Sequence, residues 1–201
     1  MKSKLSETQV TELLCQALET ERGGIQIYER AVRAVQNGDL RKEFSHYLQQ
    51  TRRHEAILTE LFGTLGLDTE TASPGRDVVA KLGSALVGAI ESAIANADPA
   101  GAELVACECV VLAETKDHAN WELIGKVAEA DSGKRAQLLK AAYDEVEKDE
   151  DHHLYHSKGW CRESWLQSLG LPAVLPPPEE IKQVETAIGA ARAKQSRKGM
   201  L

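Results

Sequence analysis

The sequence predicts an all-α protein: an antiparallel four-helix bundle with a long crossover containing an extra helix, followed by a C-terminal helix. Three observations carry that prediction. Apolar residues recur at alternating steps of three and four along four long segments, the heptad spacing of a bundle seam. Ala, Leu, Glu, Lys, Arg and Gln, all good helix formers, dominate the composition. Aromatic residues are only 4% of the 201 positions and β-branched runs are almost absent, so no segment reads as a strand. At 42% hydrophobic and 27% charged, the chain suits a soluble domain with its own core.

Ser6-Glu7-Thr8-Gln9 has the form of a capping sequence for a first helix. Its seam reads Leu14, Ala17, Glu21, Gly24, Tyr28, Ala31, Val35, apolar or small except at Glu21 and Tyr28. Asn37-Gly38-Asp39 is expected to end that helix at Gly38 and cap the next with Asp39. The second helix, about 40–65, has the seam Leu40, Phe44, Tyr47, Thr51, His54, Leu58, Leu61. The short turn makes the two antiparallel. Residues 66–75, with Ser73-Pro74-Gly75, read as a loop. A helix rich in Gly and Ala follows at about 78–96. Asp98-Pro99 is an N-cap followed by a first-turn proline. The next helix reaches about Ala130, with one face at Leu104, Cys107, Val111, Glu114, His118, Trp121, Gly125. The last bundle helix, about 134–169, has the stripe Leu139, Tyr143, Val146, Glu150, His153, Ser157, Trp160. Gly170-Leu171-Pro172 stops it. Pro176-Pro177-Pro178 is a stiff connector. A final helix is expected over 179–194, then a frayed basic tail to Leu201. The division is therefore 1–171 for the bundle, with its inserted helix at about 78–96, and 172–201 for the connector and C-terminal helix.

A net charge of −7 disfavours nucleic acid as a partner. No uninterrupted apolar run reaches ~18 residues, so no transmembrane helix is expected. Met1 to Glu7 holds no apolar stretch for export. Cys107 and Cys109 point about 200° apart on a helix, which suits neither a disulfide nor a zinc knuckle. With Cys15 and Cys161 they read as thiols of a reducing cytoplasm.

The chemistry lies in the seams. An ionisable group in a bundle seam is costly unless paired or metal-bound. Each long helix has at least one: Glu21; His54; Glu114 with His118; Glu150 with His153. Glu150-x-x-His153 points a carboxylate and an imidazole the same way, the ligand unit of carboxylate metal sites in four-helix bundles. All lie near mid-helix, at heights compatible with one cluster. Taken singly, each has a plainer reading. Glu21 would pair with Arg52 or Arg53, His54 would be a hydrogen-bonded core histidine, and Glu114 would pair with His118. Asp149, Asp151 and His152 read as a solvated face. The coincidence on four helices favours metal. Gly23-Gly24 in mid-helix points to a π-bulge or a close helix approach beside Glu21.

Over residues 8–165 the chain resembles the ferritin-like superfamily of ferritins, bacterioferritins, rubrerythrins and manganese catalases. In those proteins the first and third helices each give a Glu, and the second and fourth each give Glu-x-x-His. The resemblance implies metal ligands at Glu21, His54, Glu114, Glu150 and His153, two iron or manganese ions, and oxidoreductase or iron-handling chemistry in oxidative stress. The segment 154–178 looks like stand-alone ferritin-like proteins of bacteria, and a homodimer fits that picture. One departure matters. The second-helix motif is Thr51-Arg52-Arg53-His54, without its glutamate. Three carboxylates would leave two divalent ions with residual positive charge. His118, or less readily Glu55, is the candidate to fill the gap. The alternative is a ferritin-like scaffold with a degenerate site, acting as a structural or interaction protein.

Overall fold

A computed structural model describes residues 5–201. The opening Met1–Lys4, part of the stretch expected to lack an export signal, lies outside the described residues. Among the described residues every regular element is helical. The helices are α1 (Glu7–Ala34), α2 (Gly38–Leu65), α3 (Pro74–Asn96), α4 (Pro99–Ala130), α5 (Gly133–Ser168), α6 (Pro178–Ile181) and α7 (Ala187–Ser196).

The termini follow from local chemistry. Ser6 caps α1 by accepting from the Gln9 N–H at 3.4 Å, and Asp98 caps α4 by accepting from Gly101 at 2.7 Å. Between α1 and α2 the expected cap moves. The Asn37 side chain accepts from Asp39 and Leu40 and caps α2, so Asp39 falls inside the helix. α2 ends on Gly66 at φ +69°, a left-handed position that glycine adopts without steric cost. Ser73 caps α3 from Pro74, about a turn earlier than the apolar pattern indicated.

Contacts at the helix ends set the directions. Glu103 near the start of α4 accepts from the backbone N–H groups of Gln36 and Asn37, just past the end of α1. Arg135 at the start of α5 pairs with Glu7 at the start of α1, and Gly75 in α3 donates to Glu12 in α1. Hence α1, α3 and α5 run one way and α2 and α4 the other. α1 packs on α2 and α4, and α5 packs on α4 and α2. α3 lies outside this four-helix core against α1 and α4. Gly23 and Gly83 let α1 and α3 approach: a Cβ on Gly83 would stand 3.6 Å from the Gly23 Cα. α1 stays regular there, so a close approach explains the paired glycines and no π-bulge is present.

The core has two apolar halves. One gathers Ile27, Tyr28, Phe44, Tyr47, Val110 and Trp160; the other gathers Leu14, Leu18, Phe62, Trp121, Leu139 and Val146. Each fully buried Leu, Ile or Phe contributes about 1.5–3 kcal/mol. Between the halves runs a polar layer, where burial works against folding unless charges are compensated.

Averaged over its length, α3 is long and apolar enough to cross a membrane. Val78, Val79, Leu82, Leu86, Val87, Ile90 and Ile94 carry the average, while Lys81 and Glu91 keep any apolar run short. Val78 and Leu82 on it are exposed. All four cysteines are free, and Cys15, Cys107 and Cys109 are buried. Burial pushes the Cys109 thiol up to about 11.

The C-terminal segment departs from expectation. In place of one helix over 179–194, α6 stops after Ile181, Gln183 adopts φ +49°, and α7 restarts behind a Thr186 cap. The basic tail is docked: the Arg197 guanidinium bonds both oxygens of the buried Glu163 carboxylate at 2.8 and 2.9 Å. Arg162 and the Val174 N–H complete that carboxylate's shell.

Candidate metal centre

The seams deliver their ionisable groups to the polar layer. Glu21 from α1, His54 from α2, Glu114 from α4, and Glu150 and His153 from α5 are all buried. Of the plainer readings only one is met: His54 is a buried histidine hydrogen-bonded to Asp149, while Glu21 and Glu114 do not take the partners open to them. Arg52 binds Glu29 and Arg53 binds Glu145, both at the surface. Glu114 is not paired with His118.

Two triads emerge. Glu21, His54 and Glu150 offer one ligand atom each, and so do Glu114, Glu150 and His153; within each triad these atoms lie within 4.8 Å of one another. Glu150 belongs to both. His54 Nδ1 is 3.1 Å from Glu150 Oε1 and 3.7 Å from Glu21 Oε1. His153 Nδ1 is 3.5 Å from Glu114 Oε2 and 3.8 Å from Glu150 Oε1. The two imidazoles stack with centroids 5.7 Å apart.

A surrounding set of residues aims these groups. His54 Nε2 lies 3.2 Å from Asp149 Oδ2, and His153 Nε2 lies 3.0 Å from Gln50 Oε1. With Nε2 donating outward, each ring keeps its Nδ1 lone pair for the centre. Trp121 Nε1–H donates to Glu21 Oε1 at 2.8 Å, and the Tyr28 hydroxyl donates to Glu114 Oε1 at 2.6 Å. Glu21 and Glu114 thus each have one oxygen held and the other free. Five polar atoms of these residues are left over: Glu21 Oε2, Glu114 Oε2, Glu150 Oε2, His54 Nδ1 and His153 Nδ1 are buried without a hydrogen bond. Unpaired buried acceptors cost about 1–3 kcal/mol each, more when charged. Such a set fits a metal ion better than a packed core.

A further carboxylate belongs here and escaped the sequence reading. Asp117, one turn beyond Glu114 on α4, is buried, and its Oδ1 has no hydrogen-bond partner. It acts electrostatically on Glu21, and Glu150 and Glu114 act on it. Burial, then these neighbouring negative charges, hold Glu21, Asp117 and Glu150 well above the usual carboxylate range. A cation at the centre would reverse that.

The gap-filling roles shift accordingly. Thr51 is buried, its hydroxyl donates to the Tyr47 carbonyl at 2.9 Å, and its methyl packs toward Gly24. It presents no oxygen for ligation. His118 is turned away: its Nε2 meets Asp151 Oδ1 at 2.8 Å and its ring packs on Tyr155. Glu55 pairs with Arg22 at 3.6 Å. Asp149, expected on a solvated face, instead orients His54. Burial raises its carboxyl, but the hydrogen bond from His54 and the nearby Arg53 guanidinium help to outweigh this and hold it below the usual range.

A surface cleft of about 220 Å³ reaches this layer, walled by Glu150, Trp121, Tyr143, Glu147, Tyr155 and Thr186. No protein-family model, curated protein or solved structure matches the chain.

Proposed function

We propose that this chain is a ferritin-like metal protein, binding two iron or manganese ions between its four long helices and using them for oxidoreductase or iron-handling chemistry. The observation that carries the reading is the pair of ligand triads sharing Glu150, each with a buried Nδ1 and a carboxylate oxygen left without a partner. Glu21 and His54 would hold one ion, Glu114 and His153 the other, with Glu150 between them. Asp117 brings the carboxylates to four, the number that balances two divalent ions. Mixed carboxylate and imidazole donors suit iron or manganese.

Bound iron or manganese would supply electron transfer toward a small oxidant such as dioxygen or peroxide. The chain's own contribution is orientation and exclusion of water. Trp121 and Tyr28 fix the two terminal carboxylates, while Asp149 and Gln50 fix the histidine tautomers. The cleft walled by Glu150 would be the route by which a small molecule reaches this layer. The degenerate-scaffold alternative rests on Thr51; Asp117, a fourth buried carboxylate near the triads, weighs against it.

The test is elemental analysis after anaerobic iron or manganese loading and desalting, beside a Glu150→Ala/His153→Ala variant. About two ions per chain, lost in the folded variant, are expected. Protein that takes up neither metal overturns the reading.

A further inference from the structure

Outside the bundle centre, α5 carries a second set of donors. His152 and His156 stand four residues apart, one turn, with ring centroids 3.5 Å apart. Glu180 of α6 reaches them from the C-terminal segment, and its Oε2 lies 2.7 Å from His156 Nδ1. One atom from each of the three lies within 4.8 Å of the others. Glu43 of α2 stands close enough for Glu180 and His156 to act on it electrostatically, and His46 acts on His152.

The hydrogen bonding of His156 is the decisive detail. Its Nε2 lies 2.8 Å from the Val184 carbonyl oxygen, which can only accept. Nε2 therefore carries a proton. In the neutral ring Nδ1 then holds a lone pair, and that lone pair faces a carboxylate oxygen at 2.7 Å. Two acceptors cannot meet at that distance unless a proton or a cation stands between them. A backbone carbonyl fixing Nε2–H is also how proteins orient a ligating imidazole.

We infer that His152, His156 and Glu180 form a second metal site, distinct from the bundle centre, that binds a zinc-type divalent cation and fastens α6 to α5. Two imidazoles and one carboxylate are an established zinc donor set, with a fourth position left for water. Bonds of ~2.0 Å at a tetrahedral angle place donor atoms about 3.3 Å apart. The Nδ1–Oε2 pair needs to open only slightly to reach that. The rings are stacked, so a turn of His152, the less buried of the two and packed edge-on to Tyr47, is needed to bring both lone pairs onto one ion. The site is independent of the bundle-centre reading, because none of its donors belongs to either inner triad.

The test is zinc titration of metal-free full-length protein against a chromogenic chelator. Wild type is compared with His152→Ala, Glu180→Gln and the Glu150→Ala/His153→Ala variant. His152 is partly exposed and Glu180 lies outside the four-helix core, so helicity by circular dichroism should match wild type. Expected is one zinc that persists in the inner-site variant and binds at least tenfold more weakly in both outer-site variants. Zinc should also slow tryptic cleavage after the exposed Lys182 in wild type and not in His152→Ala. Zinc affinity and stoichiometry equal to wild type in both outer-site variants would overturn the inference. Absence of any such zinc in wild type would do the same, leaving a proton between His156 and Glu180.

Discussion

Asp117 sits where a carboxylate is expensive to keep. It is a buried carboxylate with an unpartnered oxygen beside three others. Asp117→Asn should therefore stabilise the metal-free protein, by about 1–3 kcal/mol. The same change should lower bound iron or manganese from about two ions toward one. Thermal melts with and without metal, alongside elemental analysis, check both halves; a purely structural aspartate would not separate them. The same layer sets a pH dependence. Glu21, Asp117 and Glu150 have folded-state pKa values raised by burial and mutual repulsion. Their contribution is fully present below the unfolded carboxylate pKa and is lost as the pH rises through the folded values. Metal-free protein should melt higher at about pH 5 than at about pH 8, and metal loading should remove that difference. Glu21, His54, Glu114, Glu150 and His153 were legible because each breaks an apolar stripe with a group that is expensive to bury. Asp117 was not, because it fell off the stripe chosen for its helix.

That stripe is where a helix misleads. On α4 the sequence supports two seams sharing Cys107, Glu114 and Trp121. One continues through Val111, His118 and Gly125, the other through Val110, Asp117 and Ile124. The structure buries Val110, Asp117 and Ile124 and leaves Val111 and His118 partly exposed. Steps of three and four can start in either order, and a 3.6-residue turn fits both equally. Only the positions of α1 and α5 decide. On α1 a rival seam through Leu18, Ile25 and Val32 is equally apolar, but Ile25 and Val32 are only partly buried, whereas every residue of the chosen α1 and α2 seams is buried. α3 depends on a different feature, the glycine pair at its approach to α1. Gly83→Leu would force a side chain between the two backbones and should cost about 1–3 kcal/mol in a denaturant titration. Metal stoichiometry should stay unchanged, because α3 supplies no ligand.

At the scale of the molecule, the C-terminal segment was the least legible part. Its composition marks a linker and a short helix, yet its position depends on partners many residues away, Glu163 with Arg197 and His156 with Glu180. Burial raises the Glu163 carboxyl, but bonds from Arg197, Val174 and Arg162 outweigh this and hold it below its usual value. Its contribution is complete above the unfolded carboxylate pKa and is lost as the pH falls through the depressed folded value. Hydrogen-exchange protection of residues 187–199 should accordingly drop between about pH 6 and about pH 3. The two apolar halves of the core have a last consequence. The polar layer interrupts the apolar contacts between them, leaving the continuous helices to couple one half to the other. Ions ligated by residues from all four long helices would rivet the halves together. Metal-free protein should lose its amide protection in two stages, one for each half, and the loaded protein in a single global opening.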